Sequence, residues 1–151
     1  MRSQNGWTAE QTNLLSWFSV PDTNVKLRLR TQYAGPLLIA FARCFNKHVE
    51  PIHDPGCWSY APRPVRGSTT SISNHASGTA IDLNAPKHPL GKVGTYTAAQ
   101  RAEILRLVGL TNGALRWGGT YSGRKDEMHF ELNTTDIHAV LLATAALMKA
   151  L

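Results

Sequence analysis

The chain has 151 residues, 42% of them hydrophobic and 17% charged, the size and balance of one globular domain that can bury a core without staples. It contains no run of eighteen apolar residues, so a membrane-spanning helix is excluded; its two cysteines, Cys44 and Cys57, are too few for a disulfide scaffold, form no CxxC pair and leave open whether they pair. Sixteen Lys and Arg against ten Asp and Glu give a formal charge of +6, which favours an acidic partner, yet no basic run interleaves with aromatics in the way that tracks a nucleic-acid backbone.

Thr8 and Gln11 have capping-box spacing, and Leu14, Leu15 and Phe18 follow at helical intervals until Pro21, so a short first helix is expected there. In "VKLRLR", Val25, Leu27 and Leu29 alternate with Lys26, Arg28 and Arg30, the period of a strand with one buried face and one basic face. Pro36 suits a first helical turn, and Leu38, Phe41, Ala42 and Phe45 predict a buried helix over 36–47. The Pro-, Gly- and Ser-rich segment 48–71 has no sustained period and reads as loop with short extended pieces. A strand is expected over 78–84, a capped helix from Thr97 to Gly109 with Ile104, Leu105 and Val108 on one face, strands at "ALRWGG" and "EMHFEL", and a last helix from about Asp136 carrying Ile137, Val140, Leu141, Met148 and Leu151. With no repeat or linker, this order predicts a single α+β domain over 1–151, expected as a monomer, with a small, mostly antiparallel sheet flanked by helices.

Six histidines are present, and four of them, His48, His53, His88 and His138, stand in loops, turns or a helix start where structural or surface roles suffice. His75 and His129 differ because each has carboxylates at useful offsets. In an extended segment Ala80 and Asp82 share one side while Ile81 and Leu83 take the core side; Gly78 permits a bend that returns His75 toward Asp82, and Ala80 leaves clearance. In "DEMHFEL", a strand over 128–132 puts His129 with Glu131 on one face and Met128, Phe130 and Leu132 on the core face. Asp126 then has the wrong parity, so a turn or bulge between Asp126 and His129 is required if both serve one site.

Two imidazoles, one carboxylate and an open position suit a hydrolytic zinc ion, which lowers the pKa of its water to roughly 7. Such a site also needs a non-ligating carboxylate to move the proton, for which Asp126 is the candidate, and a cationic donor for the oxyanion, for which Arg63 and Arg66 precede His75. Glu131 is placed to hold the free nitrogen of a ligand imidazole, Ser73 to hold the loop, and Trp117 stands either as a groove wall or as a strand end.

Ser73, His75, Gly78, Ala80 and Asp82 spell SxHxxGxAxD, and Asp126 with His129 spells DxxH downstream. Together they resemble the zinc D-alanyl-D-alanine carboxypeptidases and L-alanyl-D-glutamate endopeptidases of bacteria and phages, over roughly residues 57–132. The amino-terminal third looks like that of actinobacteriophage endolysin peptidase domains. The resemblance implies the fold shared with the hedgehog signalling domain, zinc on His75, Asp82 and His129, Asp126 as general base, and Arg63, from an Arg-Pro pair, at the oxyanion, with Arg66 as the alternative. It implies a peptidoglycan stem peptide as substrate; the scattered basic residues and the lack of a long apolar run leave neither nucleic acid nor membrane as an expected partner. Aspartate at 126 leans toward an endopeptidase, such as one cutting L-Ala-D-Glu or D-Ala-diaminopimelate, with D-Ala-D-Ala carboxypeptidase as the alternative. The rival class is a noncatalytic zinc-containing wall-binding module using the basic face of residues 26–30. The N-terminus has no apolar stretch of signal-peptide type, so the expectation is synthesis in a host cytoplasm and action on the wall after release.

Overall fold

A computed structural model describes residues 1–151. It holds five strands, β1 (Leu15–Ser19), β2 (Lys26–Arg30), β3 (Ala80–Asp82), β4 (Leu115–Trp117) and β5 (His129–Leu132), and three helices, α1 (Ala34–His48), α2 (Ala98–Leu110) and α3 (Ile137–Lys149). The expected α+β class is found, with every strand pair antiparallel, but the strands form two sheets: the β1–β2 hairpin, and a three-stranded sheet in the order β3–β5–β4. No helix is long and apolar enough to cross a membrane.

The expected first helix is not formed. Residues Thr12–Leu14 make one 3-10 turn, and Leu15–Ser19 pair with Lys26–Arg30, Trp17 opposite Arg28. The apolar spacing that mimicked a helix is overridden by a hairpin partner only a few residues downstream, which satisfies the backbone of two aromatic residues that favour strands. The strand β2 follows its alternation, with Val25, Leu27 and Leu29 buried. Its basic face is only partly solvated: Arg30 donates to the Thr8 carbonyl at 2.9 Å and lies over the Trp7 ring, and Arg28 lies over Tyr60.

Helix α1 buries Leu37, Leu38, Phe41, Ala42 and Phe45 and packs against α2 and α3. Its Phe41 ring lies 4.5 Å from Phe130 of β5, and Phe45 and Trp117 complete an aromatic cluster around the same residue. Full burial of such a ring stabilises by about 2–3 kcal/mol, so this cluster is what fixes β5 and the residues on its opposite face. Trp117 is therefore a core residue at a strand end, with its indole N–H on the Glu127 carbonyl, and does not wall a groove.

The Thr97–Gln100 capping box starts α2, and Asp136 caps α3 through the amides of His138 and Ala139. Two helix faces differ from the periodic reading. In α2 the buried residues are Ile104 and Leu107, with Leu105 exposed; in α3 they are Val140, Ala143 and Leu147, with Leu141 and Met148 exposed. Both helices cover α1 with a narrow stripe, so residues at the stripe's margin stay in water. Cys44 and Cys57 are both buried, free thiols.

Candidate metal centre and active site

The three-stranded sheet builds the site by register. Asp82 lies directly opposite His129, Ile81 opposite Phe130, and Ala80 opposite Glu131, so the core residues share one face and the polar residues the other. Directly paired side chains on one face stand about 4.5–5.5 Å apart at Cβ, close enough for Asp82 and His129 to meet.

His75 arrives from outside the sheet on a 3-10 turn, Asn74–Ser77, capped by the Ser73 side chain, which accepts from the His75 amide. Gly78 ends that turn at φ +70°, in the left-handed region, and its carbonyl accepts from the Arg30 amide at 2.9 Å. A Cβ at this position would stand 2.6 Å from a Leu15 methyl and 2.7 Å from the Arg30 nitrogen, so both the bend and the close approach to β2 require glycine. The expected bend is thus present, and Ser73 does hold the loop.

The polar atoms of the three residues converge. His129 Nδ1 is 3.0 Å from Asp82 Oδ1, His75 Nε2 is 3.3 Å from the same oxygen, and the two ring nitrogens are 3.2 Å apart. Their other ring nitrogens are committed elsewhere. His75 Nδ1 is 2.8 Å from the Ser59 carbonyl, which can only accept, so the proton sits on Nδ1 and Nε2 presents a lone pair. His129 Nε2 is 2.9 Å from Glu131 Oε2, which likewise draws the proton outward and leaves Nδ1 as a lone pair. With both rings neutral, two lone pairs and a carboxylate oxygen face one another with no donor among them, an arrangement that calls for a cation, either a second proton on His129 or a metal ion. Ligand atoms around a tetrahedral ion at roughly 2.0–2.1 Å lie about 3.3 Å apart, the spacing found here. His75, Asp82 and His129 are all buried, and together they are the group of residues that can hold a metal ion.

The electrostatics carry the same demand. Burial works against charge on His129, but hydrogen bonds to Asp82 and Glu131 outweigh it and push its pKa up to about 10, so Nδ1 takes a second proton toward Asp82 unless a metal ion engages that lone pair. Burial likewise opposes ionisation of Asp82, yet the His75 and His129 rings hold its carboxyl well below the usual range. For Glu131 the hydrogen bond to His129 overcomes burial and brings the carboxyl down to about 2. The pocket is thus set to keep its carboxylates ionised and to attract positive charge.

Around the first three residues stands a second layer that the sequence reading identified in part. Glu131 holds His129 as expected, and Glu131 is itself held by the Tyr121 hydroxyl at 2.7 Å and by the side-chain amide of Asn74. Ser59, Asn74 and Tyr121 were not singled out from sequence. Asn74 adjoins His75 and Tyr121 lies between Trp117 and Asp126, but Ser59 acts through its carbonyl, for which no side-chain signal exists. The Trp58–Asp82 bridge, two 2.9 Å backbone hydrogen bonds on the free edge of β3, is what brings Ser59 beside His75.

Asp126 is joined to His129 by a turn, the His129 amide donating to the Asp126 carbonyl at 3.1 Å. The required break in the strand is therefore present. It also changes Met128, which was expected on the core face: the turn takes it out of the strand, and it is only half-buried and lines the cleft. Asp126 is anchored by its amide on the Gly118 carbonyl at 3.1 Å, and a side chain at Gly118 would collide with it. One carboxylate oxygen, Oδ1, is buried with no hydrogen-bond partner. Burial pushes the Asp126 carboxyl up, and the groups that act on it next are His129, Asp82, His75 and Arg63. Such an unpartnered buried acceptor is costly unless a ligand or substrate proton engages it.

Asp126 and the three convergent residues line one cleft of about 820 Å³, a volume suited to a peptide-sized ligand. Arg63 and Arg66 both line it as well. Arg63 is half-buried, its charge disfavoured by burial and the neighbouring Arg66 but supported by Asp82 and Asp126, whereas Arg66 is exposed. The remaining four histidines stand apart: His88 is buried between Glu50 and Thr95, His48 bonds the Ala150 carbonyl, and His53 and His138 are exposed.

Residues 66–132 match the model of a family described as D-alanyl-D-alanine carboxypeptidase. The matched segment is less than half of the chain; it encloses His75, Asp82, Asp126 and His129 and begins after Arg63. The likeness to this peptidase family is confined to that segment. No curated protein and no solved structure matches the chain.

Proposed function

We propose that this chain is a zinc-dependent peptidase that hydrolyses an amide bond in the peptidoglycan stem peptide, of the phage endolysin type, and that residues 1–151 form its single catalytic domain. The observation that carries the reading is the convergence of His75 Nε2, His129 Nδ1 and Asp82 Oδ1 to within 3.3 Å of one another, with Asp126, whose buried Oδ1 has no partner, in the same cleft. The family match over 66–132 agrees with it.

In this mechanism His75, Asp82 and His129 hold the zinc ion. When bound, zinc in an open three-ligand site supplies Lewis acidity, polarising a carbonyl and making water nucleophilic near neutral pH. Asp126, poised by burial to take up a proton, receives it from the attacking water and returns it to the amine as the C–N bond breaks, so the water oxygen ends in the new carboxylate and the proton in the leaving group. Arg63, the less exposed of the two arginines and the one influenced by Asp82 and Asp126, donates to the developing oxyanion. Glu131 and the Ser59 carbonyl fix the tautomers of the ligand imidazoles, which keeps their lone pairs directed inward.

Aspartate at 126 favours an endopeptidase, cutting for example L-Ala-D-Glu or D-Ala-diaminopimelate. The description of the matching family keeps D-Ala-D-Ala carboxypeptidase as the second reading. The test uses purified cell walls. Asp126→Ala is expected to retain zinc and lose release of new amino groups; unchanged release would remove Asp126 from the mechanism, and wall binding without release by the unsubstituted protein would favour a noncatalytic module.

A further inference from the structure

We propose that Arg116 is a specificity residue that binds a free carboxylate of the substrate, away from the bond that is cut. The inference rests on the peptidase reading above and adds the chemical feature that the cleft selects. Arg116 lies on β4 directly opposite Glu131 of β5, a pairing that ordinarily forms a cross-strand ion pair. No such pair is made: Glu131 is directed to other donors, Oε1 accepting from the Tyr121 hydroxyl and Oε2 from Asn74 and His129. The arginine ion pairs of the chain are Arg101–Glu127 and Arg106–Glu103, so Arg116 has no carboxylate of its own. Its guanidinium lies 4.4 Å above the Tyr121 ring and lines the cleft with its N–H donors free.

Three features distinguish this arginine from an ordinary rim charge. The stack on Tyr121 removes much of the freedom that a solvated arginine would lose on binding. Tyr121 is fixed by Glu131, which also holds His129, so the position of Arg116 is referenced to the reacting centre. Arg63, Arg66 and Arg124 line the same cleft, while its carboxylates, Asp82, Asp126 and Glu131, are all committed to the centre. The cleft therefore presents unmatched positive charge, and the planar fork of Arg116 suits a carboxylate bound through two parallel hydrogen bonds. A stem peptide offers that group on a glutamyl residue, on a diaminopimelyl residue or at its carboxyl end; the three share one chemistry.

The experiment measures calorimetric binding of a stem tetrapeptide and of three forms, each amidated at one of these carboxylates, to zinc-loaded Asp126→Asn protein with and without Arg116→Gln. One amidation is expected to weaken binding about tenfold or more, the weight of charge-assisted hydrogen bonds, and to have no further effect once Arg116 is Gln. Arg116→Lys should recover only part of the loss, since it restores charge without the fork. In the otherwise unsubstituted enzyme, Arg116→Gln should raise KM with kcat retained. Equal weakening of all four peptides by Arg116→Gln, additive effects of Arg116→Gln and every amidation, or no binding of any peptide overturns the proposal. Carboxylate-selective binding of a peptide that the unsubstituted protein never hydrolyses supports it while overturning the peptidase reading; hydrolysis with no dependence on amidation does the reverse.

Discussion

Substituting Gly78 by alanine is predicted to damage both stability and ion binding, by an amount that the geometry bounds. The residue sits at φ +70°, where a side chain costs about 1–2 kcal/mol. Its new Cβ would also press on a Leu15 methyl at 2.6 Å and the Arg30 backbone nitrogen at 2.7 Å. The leucine can turn aside, but the β2 backbone cannot without losing its 2.9 Å hydrogen bond to the Gly78 carbonyl, and overpacking of this kind costs a further 1–3 kcal/mol or so. The sum of about 2–5 kcal/mol corresponds to a melting temperature lowered by roughly 4–20 °C in a chain of this size. Gly67 supplies the control, with φ +81° and nothing within 4 Å of an added Cβ, so Gly67→Ala should show only the conformational cost, about 1–2 kcal/mol. Thermal unfolding of both variants, with zinc titration of each, separates the two contributions: Gly78→Ala should melt well below Gly67→Ala and bind zinc more weakly, because His75 is carried by the turn that Gly78 closes. Identical melting of the two variants, or undiminished zinc affinity in Gly78→Ala, would refute the argument that the approach to β2 places His75.

Two further outcomes follow from the surrounding residues. Glu131→Gln removes the charge that holds the Nε2 proton of His129, so zinc affinity by chelator competition should fall about 10- to 100-fold; unchanged affinity would remove Glu131 from the centre. Burial opposes ionisation of Glu127, but hydrogen bonds from Thr95 and Gly94, aided by Arg101, hold its carboxyl below the usual glutamate value. The folded state therefore binds that proton less readily than the unfolded chain, and the stabilisation is complete above the unfolded glutamate value of about 4.3 and lost as pH falls through the folded one. Urea midpoints should fall more steeply with acid in the unsubstituted protein than in Glu127→Gln, and parallel curves would count against it.

Much of this architecture was legible because the relevant signals are local. The alternation of Val25, Leu27 and Leu29, the α1 stripe ending at Phe45, the Thr97–Gln100 capping box and the Asp136 start of α3 each depend on neighbours within a few residues. Strand β1 was not legible, since Leu14, Leu15 and Phe18 fit a helical period and only pairing with β2 decides otherwise. The site residues could be grouped because parity in a strand puts Asp82 and His129 on faces that a register can unite, and the same parity required the turn after Asp126. That turn, once required, also frees Met128 from the core, a consequence the alternating pattern of "MHFEL" hides. Ser59, Asn74 and Tyr121 belong to the centre through contacts spanning 10 to 57 positions, and one of them uses only its backbone, so no spacing in the sequence marks them.

The central claim is that His75, Asp82 and His129 together form a zinc site, and the most direct test is the metal content of the purified protein after exhaustive dialysis against a zinc-buffered solution. One equivalent of zinc per chain is predicted, with loss of that zinc in each of His75→Ala, Asp82→Ala and His129→Ala and its retention in Asp126→Ala. A folded chain that holds no zinc, or one that keeps a full equivalent when any of the three residues is removed, would contradict the account.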